Sequence, residues 1–244
     1  MIFEKIKHLV ISLIMRFLEF LYPPKDIKYS KIPIIINNFN RLDYLKKLLC
    51  SLENRECENI IILDNKSTYP PLLEFYKQTK HRVIFLNKNY GYRALWKSGI
   101  YKQFIHNFFV YTDSDLEIID TCPANFMAFF KKTLQRNKSC KKVGFSLKID
   151  DIPKHYKLKK EVINWEKKFY ENKKGDMFFK APIDTTFAMY QPYSFKHTAS
   201  NIPLMLRTEV PYQMRHLPWY VDSTNLSEEE KNYLKTTKVK NWVK

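Results

Sequence analysis

Between Lys31 and Asp120 the chain repeats one pattern, a short apolar run followed by a segment of helical periodicity, and this limits the fold more than any other feature. The runs are Ile32–Ile36, Asn59–Leu63, Arg82–Leu86 and Phe108–Tyr111, and between them lie Leu42–Leu52, Pro71–Lys80 and Arg93–His106. Because the runs do not alternate polar with apolar residues, they read as strands covered on both faces. Such strands belong to a parallel α/β sheet flanked by helices. In a sheet of this kind ligands bind beyond the carboxyl ends of the strands, so the residues after each run are the candidates for chemistry.

After Asp115 the order loosens. A helix is predicted over Pro123–Asn137, a strand over Val143–Ile149, a basic and aromatic stretch over Lys154–Lys174 and a strand over Ile183–Tyr190. Thr208–Asp222 reads as loops over the active edge of the sheet. With 244 residues, 45% of them hydrophobic, the chain can bury one substantial core and is neither disordered nor fibrous.

Upstream of the sheet, Ile2, Ile6, Leu9, Val10, Leu13, Phe17, Phe20 and Leu21 fall at helical spacing until Pro23 and Pro24 end the pattern. Glu4, Lys5, Lys7 and Arg16 interrupt it, so it does not resemble a signal peptide with a cleavage site. Its uncharged stretch, Leu9–Met15, falls far short of the ~20 residues that span a bilayer. Two readings stay open: a helix lying in the membrane interface, or one packed on the domain. The net charge of +17 calls for an anionic partner, whether nucleic acid, an acidic membrane surface or a phosphorylated substrate. Lys and Arg are spread along the chain with no zinc-finger or RNP-like pattern, so nucleic acid ranks last and is not expected. Lys231, Lys235, Lys238, Lys240 and Lys244 beside Trp242 offer a second membrane contact. Cys50, Cys57, Cys122 and Cys140 lack CxxC spacing and nearby partners for zinc, and are expected as free thiols in a reducing cytoplasm.

The fourth run ends in Thr112-Asp113-Ser114-Asp115. Residues two apart in extended chain point the same way, so the two carboxylates converge. Hard oxygen ligands of this type suit Mg²⁺ or Mn²⁺, which keep positions open for substrate phosphates. Close acidic pairs also occur in surface loops, so the other strand ends decide the matter. Asn37-Asn38-Phe39-Asn40-Arg41 follows the first run and Asp64-Asn65-Lys66-Ser67 the second. Asn87 to Arg93 follows the third, where Gly91 permits a tight turn and the next helix offers its N-terminus to an anion.

Taken in order, Pro33–Arg41 with Phe39-Asn40-Arg41, the Leu63–Ser67 turn, the Asn89-x-Gly91 turn and Thr112–Asp115 resemble the nucleotide-binding half of family 2 glycosyltransferases of the GT-A type. The resemblance covers about residues 31–120 and implies a Rossmann-like, mostly parallel sheet flanked by helices and holding a nucleotide sugar. Carried over by position, Asn38 and Phe39 would lie against the base and Asp64 would accept a hydrogen bond from its ring nitrogen. Arg41, Asn65, Asn89 and Gly91 would surround the nucleotide, with Arg93 near base or ribose. Asp113 would reach ribose or metal and Asp115 the metal between the diphosphate oxygens. One departure is that Arg93-Ala94-Leu95-Trp96-Lys97-Ser98-Gly99 replaces the family's usual Ala-x-Asn-x-Gly continuation, which leaves the nucleotide less defined than the nucleotide sugar.

The second half of such folds accepts the other substrate and supplies the base. Asp184 is the candidate by its place in the order of elements; it also reads as a turn cap made with Thr185 and Thr186. Asp150 and Asp151 are the next acids in line. His216 is the candidate third metal ligand, or a structural histidine, and Arg207 and Arg215 are candidates to neutralise the diphosphate. The expected organisation is an amphipathic helix (1–24), a nucleotide-sugar half (31–120), an acceptor half (121–225) and a basic tail (226–244).

The resemblance therefore implies a metal-dependent transfer, with Mn²⁺ or Mg²⁺, from a nucleotide diphosphate donor, expected to be a UDP-sugar, to a glycan or lipid-linked hydroxyl. Inversion at the anomeric carbon is expected, as is a cytoplasmic protein peripheral to the inner face of a membrane. Two rivals remain. One is an inactive GT-A-like domain that binds glycan or membrane. The other is a nucleotidyltransferase, which would normally carry a Gly-rich phosphate loop after the first strand; Asn37–Arg41 has none.

Overall fold

The computed structural model describes residues 2–194 and 204–237. Lys238, Lys240, Trp242 and Lys244 lie outside them. Among the described residues an eight-stranded sheet runs in the order β3-β2-β1-β4-β9-β6-β10-β8. Its first four strands are β1 (Ile34–Asn38), β2 (Ile60–Asp64), β3 (Arg82–Phe85) and β4 (Phe109–Asp113), all parallel. Their crossovers carry α2 (Asp43–Glu53), α3 (Pro70–Gln78) and α4 (Ala94–Lys97). Every residue of β1 and β2 is buried, because α2, α3 and a later helix cover one face while α4 and its neighbours cover the other. The strand order reverses between β1 and β4, and the crevice for a ligand opens there, at the carboxyl ends.

The second half is mixed. After β5 (Leu116–Ile118) and α5 (Phe126–Arg136) come β6 (Cys140–Gly144), β7 (Ser146–Leu147), α6 (Lys159–Glu166), β8 (Phe178–Lys180), β9 (Ala188–Tyr190), β10 (Leu204–Thr208) and β11 (Gln213–His216). β9 runs antiparallel between β4 and β6, and β11 joins β5 and β7 in a separate three-stranded sheet. Gly144 is required where β6 meets β9: a Cβ there would stand 2.5 Å from the Phe187 carbonyl oxygen.

Several expectations change in detail. The helix predicted over Arg93–His106 is broken, with α4 followed by a 3₁₀ turn at Ile100–Gln103, because Gly99 adopts φ +80°. The strand predicted over Val143–Ile149 divides after Gly144, and its two pieces enter different sheets. Of Ile183–Tyr190, only Ala188–Tyr190 pairs as a strand; the residues before it form a loop in which Thr185 turns toward β4. Thr208–Asp222 is not all loop, since it holds β11 and the 3₁₀ turn Leu217–Tyr220.

The stretch read as a basic tail contains α7 (Glu228–Thr236), opened by Ser227, whose hydroxyl accepts from the Glu230 amide at 3.2 Å. Glu228, Glu229 and Glu230 occupy its first turn, where the helix dipole favours acids. At the other end of the sequence, α1 (Ile2–Leu21) is held to the domain by a Glu19–Lys138 ion pair and by a hydrogen bond from the Tyr193 hydroxyl to the Tyr22 carbonyl, 2.6 Å. Leu9, Leu13, Phe17 and Phe20 remain exposed along it. None of the described helices is long and apolar enough to cross a membrane.

Candidate active site

β1 and β4 pair with Asn37 opposite Asp113, and β1 and β2 with Asn38 opposite Asp64, so the ladder delivers polar side chains to one edge. The Asp113 carboxylate accepts from Asn37 Nδ2 at 3.0 Å and from the Thr185 hydroxyl, while its amide donates to the Thr185 carbonyl at 3.0 Å. Thr185 therefore orients Asp113 instead of capping its own turn. Burial, reinforced by the charge of Asp115, pushes the Asp113 carboxyl up to about 8. Burial also pushes Asp115 up, but His216 and Arg41 outweigh it and hold Asp115 below the usual carboxylate range.

His216 comes from the end of β11 and places Nε2 3.5 Å from Asp115 Oδ2; its buried Nδ1 has no partner among the described residues. A hydrogen bond from the Leu217 amide to the Asp115 carbonyl, 2.9 Å, fixes the two segments together. Among the described residues no three His, Cys, Asp or Glu side chains converge as a metal cage. The donor set is nonetheless of the kind Mg²⁺ or Mn²⁺ uses, one or two carboxylates with substrate phosphates completing the shell. Two neighbouring acids that repel each other fit a cation between them better than bare solvent.

One cleft of about 1800 Å³ runs along this edge. Phe39, Arg41, Asn65, Asn89, Gly91, Asp113, Asp115, Asp184 and His216 line it. Asn65 clamps the next turn, accepting from the Tyr90 amide at 2.7 Å and donating to the Gly91 carbonyl at 3.1 Å, and Asn89 accepts from the Gly91 amide at 2.8 Å. Gly91 itself has φ +69°, as the tight turn requires.

Three predicted donor-site residues fall outside the cleft lining. Asp64 is buried, with its carboxylate accepting from the Tyr76 hydroxyl at 3.1 Å and the Ser67 amide at 3.0 Å, so it is occupied in building the β2–α3 turn. Asn38, wholly buried, donates to the Tyr76 hydroxyl at 2.8 Å. Arg93 is exposed, its guanidinium 5.2 Å from the Tyr92 ring.

In the second half, Asp184 is exposed on the cleft wall. Beneath it Lys142, fully buried, donates to the Asp184 carbonyl at 3.2 Å and the Tyr190 hydroxyl at 3.1 Å. Burial holds that lysine's ammonium well below its ordinary range. The alternative acids are committed elsewhere: Asp150 to Lys148 at 2.6 Å, and Asp151 to Arg215 at 2.9 Å and to the Tyr220 hydroxyl. Arg215 is thus not free for a diphosphate, and Arg207 is buried in an ion pair with Glu166 at 2.7 Å.

Sequence reasoning missed α7. Its Glu230 pairs with buried Arg41, its Glu229 carboxylate accepts from the Leu42 and Asp43 amides at 2.5 and 2.8 Å, and its Tyr233 ring lies 3.6 Å under the Arg41 guanidinium. Tyr233, Thr236 and Thr237 line the cleft, and Tyr233 feels the charges of both Asp115 and Asp113. Ser227-Glu228-Glu229-Glu230 has the form of a capping box and was the available signal. Asn40 was passed over too: at φ 52° it accepts from the Thr68 and Tyr69 amides at 2.7 and 3.0 Å and donates to Thr236 at 2.9 Å.

Among solved structures, glucosyl-3-phosphoglycerate synthase from Mycobacterium tuberculosis, in complex with phosphoglyceric acid, is 14% identical with a TM-score of 0.42, covering 70% of this chain and 68% of that one. Its complex with Mn²⁺ and UDP-glucose is 15% identical at 0.41, covering 66% and 56%. A cytidylyltransferase from Leptospira borgpetersenii is 10% identical at 0.36, covering 66% and 60%. These are distant likenesses, and no curated protein matches. The sequence profile of glycosyl transferase family 2, in contrast, matches residues 34–198. That span takes in β1, the Asp113–Asp115 pair and Asp184, and it makes the chain a member of that family and a glycosyltransferase.

Proposed function

We propose that the chain transfers a sugar from a nucleotide diphosphate donor, taken to be a UDP-sugar, to a hydroxyl of a glycan or lipid-linked acceptor, with inversion. The observation that carries this reading is the single cleft in which Asp113 and Asp115 face Asp184, with the turn fixed by Asn65 and Gly91 on the donor side. Asp115 and His216, with Asp113 beside them, would hold Mn²⁺ or Mg²⁺. Such an ion, when bound, neutralises the charge that gathers on the leaving diphosphate. Asn37 and Thr185 keep Asp113 from rotating, so the acidic pair meets the donor already oriented. On the opposite side Asp184 takes the proton of the acceptor hydroxyl, and Lys142 fixes the backbone that carries Asp184.

A panel of nucleotide sugars incubated with Mn²⁺ tests the reading by what is released. Nucleoside diphosphate supports it, pyrophosphate would favour a nucleotidyltransferase, and no product from any donor would leave a binding domain. For location, the exposed Leu9, Leu13, Phe17 and Phe20 of α1 support a helix lying in a membrane interface, with the basic exterior adding attraction to anionic lipid. This would place the protein at the inner face of a membrane, on the cytoplasmic side.

A further inference from the structure

The cleft is larger than its donor end requires. Pockets for one small ligand enclose ~300–1,000 Å³, whereas this one reaches about 1800 Å³. Beyond Asp184 its wall is made by α6, the 3₁₀ turn after it and β8, which present Trp165, Lys168, Phe169 and Lys180. Trp165 is left 51% exposed on a helix that is otherwise firmly anchored, with Val162 and Glu166 buried. The anchor is the Glu166–Arg207 ion pair. Arg207 also donates to the Pro182 carbonyl at 2.8 Å and lies 4.2 Å from the Phe169 ring. This chain of contacts runs from α6 to the loop bearing Asp184, so the exposed indole keeps a fixed place relative to the candidate base.

The Lys168 ammonium lies 3.2 Å from the centre of the Trp165 ring. Neither Lys168 nor Lys180 forms an ion pair among the described residues, although Glu171 lines the same wall. An amphipathic aromatic beside cations that no carboxylate neutralises suits a ligand with one apolar face and one anionic group. We propose that this wall is the acceptor subsite and that it takes a sugar bearing a phosphate or carboxylate. The ring stacks on Trp165 and the anion meets Lys168 and Lys180. The inference rests on the functional reading above and specifies its second substrate.

The test uses the full chain with Mn²⁺ and saturating UDP to fill the donor end, followed by titration with N-acetylglucosamine 1-phosphate, free N-acetylglucosamine and inorganic phosphate. A parallel arm presents a sugar phosphate carried on a lipid in vesicles. We expect the phosphorylated sugar, soluble or lipid-borne, to bind at least about tenfold more tightly than either fragment. Trp165→Ala and the double variant Lys168→Gln/Lys180→Gln should each weaken it by about tenfold while UDP affinity stays unchanged. Binding in one arm alone identifies the source of the acceptor. Equal binding of the neutral sugar, binding in neither arm, or variants that match the wild type overturn the subsite. Failure of UDP to bind the wild type overturns the functional reading itself.

Discussion

The two ends of the cleft are built on opposite plans. At the proposed donor end, β1, β2 and β4 are parallel, and their register alone brings Asn37 beside Asp113 and Asn38 beside Asp64. At the proposed acceptor end the strands are short and mixed in direction, and side-chain contacts fix the geometry: Arg207 with Glu166, Lys142 with the Asp184 carbonyl, Arg215 with Asp151. Where the backbone ladder does the positioning, a site side chain can be changed with little harm to the fold. Where polar pairs do it, function and stability are lost together.

Asp115→Asn is the strongest challenge to this contrast. The exchange removes a charge from the acidic pair without changing size, and transfer should fall by about 10³-fold while circular dichroism remains that of the wild type. Near-normal turnover in Mn²⁺ would break the donor assignment. Asp184→Asn comes next, with an expected loss of ~10²-fold or more in kcat and an unchanged donor KM. Equal damage to both parameters would make Asp184 a structural residue.

The buried ion pairs sharpen the comparison through stability. Glu166→Gln leaves Arg207 without its counter-charge and should lower unfolding free energy by about 3–5 kcal/mol in urea titrations. Glu230→Gln should cost less, because Arg41 keeps the nearby negative charge of Asp115 as well as its contact with the Tyr233 ring at 3.6 Å. If Glu230→Gln proves the more damaging, the donor end depends on polar pairing as much as the acceptor end does. The smallest effect on catalysis should follow removal of residues 1–24. Donor turnover should stay within about twofold, while flotation with anionic vesicles at low salt is lost. If neither form floats, α1 belongs to the domain's own packing.

The same contrast explains what could be read from the sequence. Parallel strands covered on both faces need unbroken apolar runs, so β1, β2 and β4 announce themselves, and the acidic pair follows directly after one of them. Nothing in periodicity tells β6 from β7, because the break at Gly144 reflects the close approach of Phe187 and Ala188 from a distant segment. The place of Asp64 at the end of β2 was legible, but its engagement by Tyr76 and Ser67 was not, because that depends on how α3 packs. The commitments of Arg207 and Arg215 were likewise hidden, since their partners lie 41 and 64 residues away in sequence.

The docking of α7 also has a consequence for how the molecule is made. Arg41 and Glu230 are separated by 189 residues, so during synthesis the first crossover helix emerges long before the acid that neutralises the charge next to it. Until then the leading amides of α2 lack Glu229, and the guanidinium destined for burial must stay hydrated. α7 is therefore the last element to reach the cleft, and the wall that carries Tyr233, Thr236 and Thr237 is complete only once it docks.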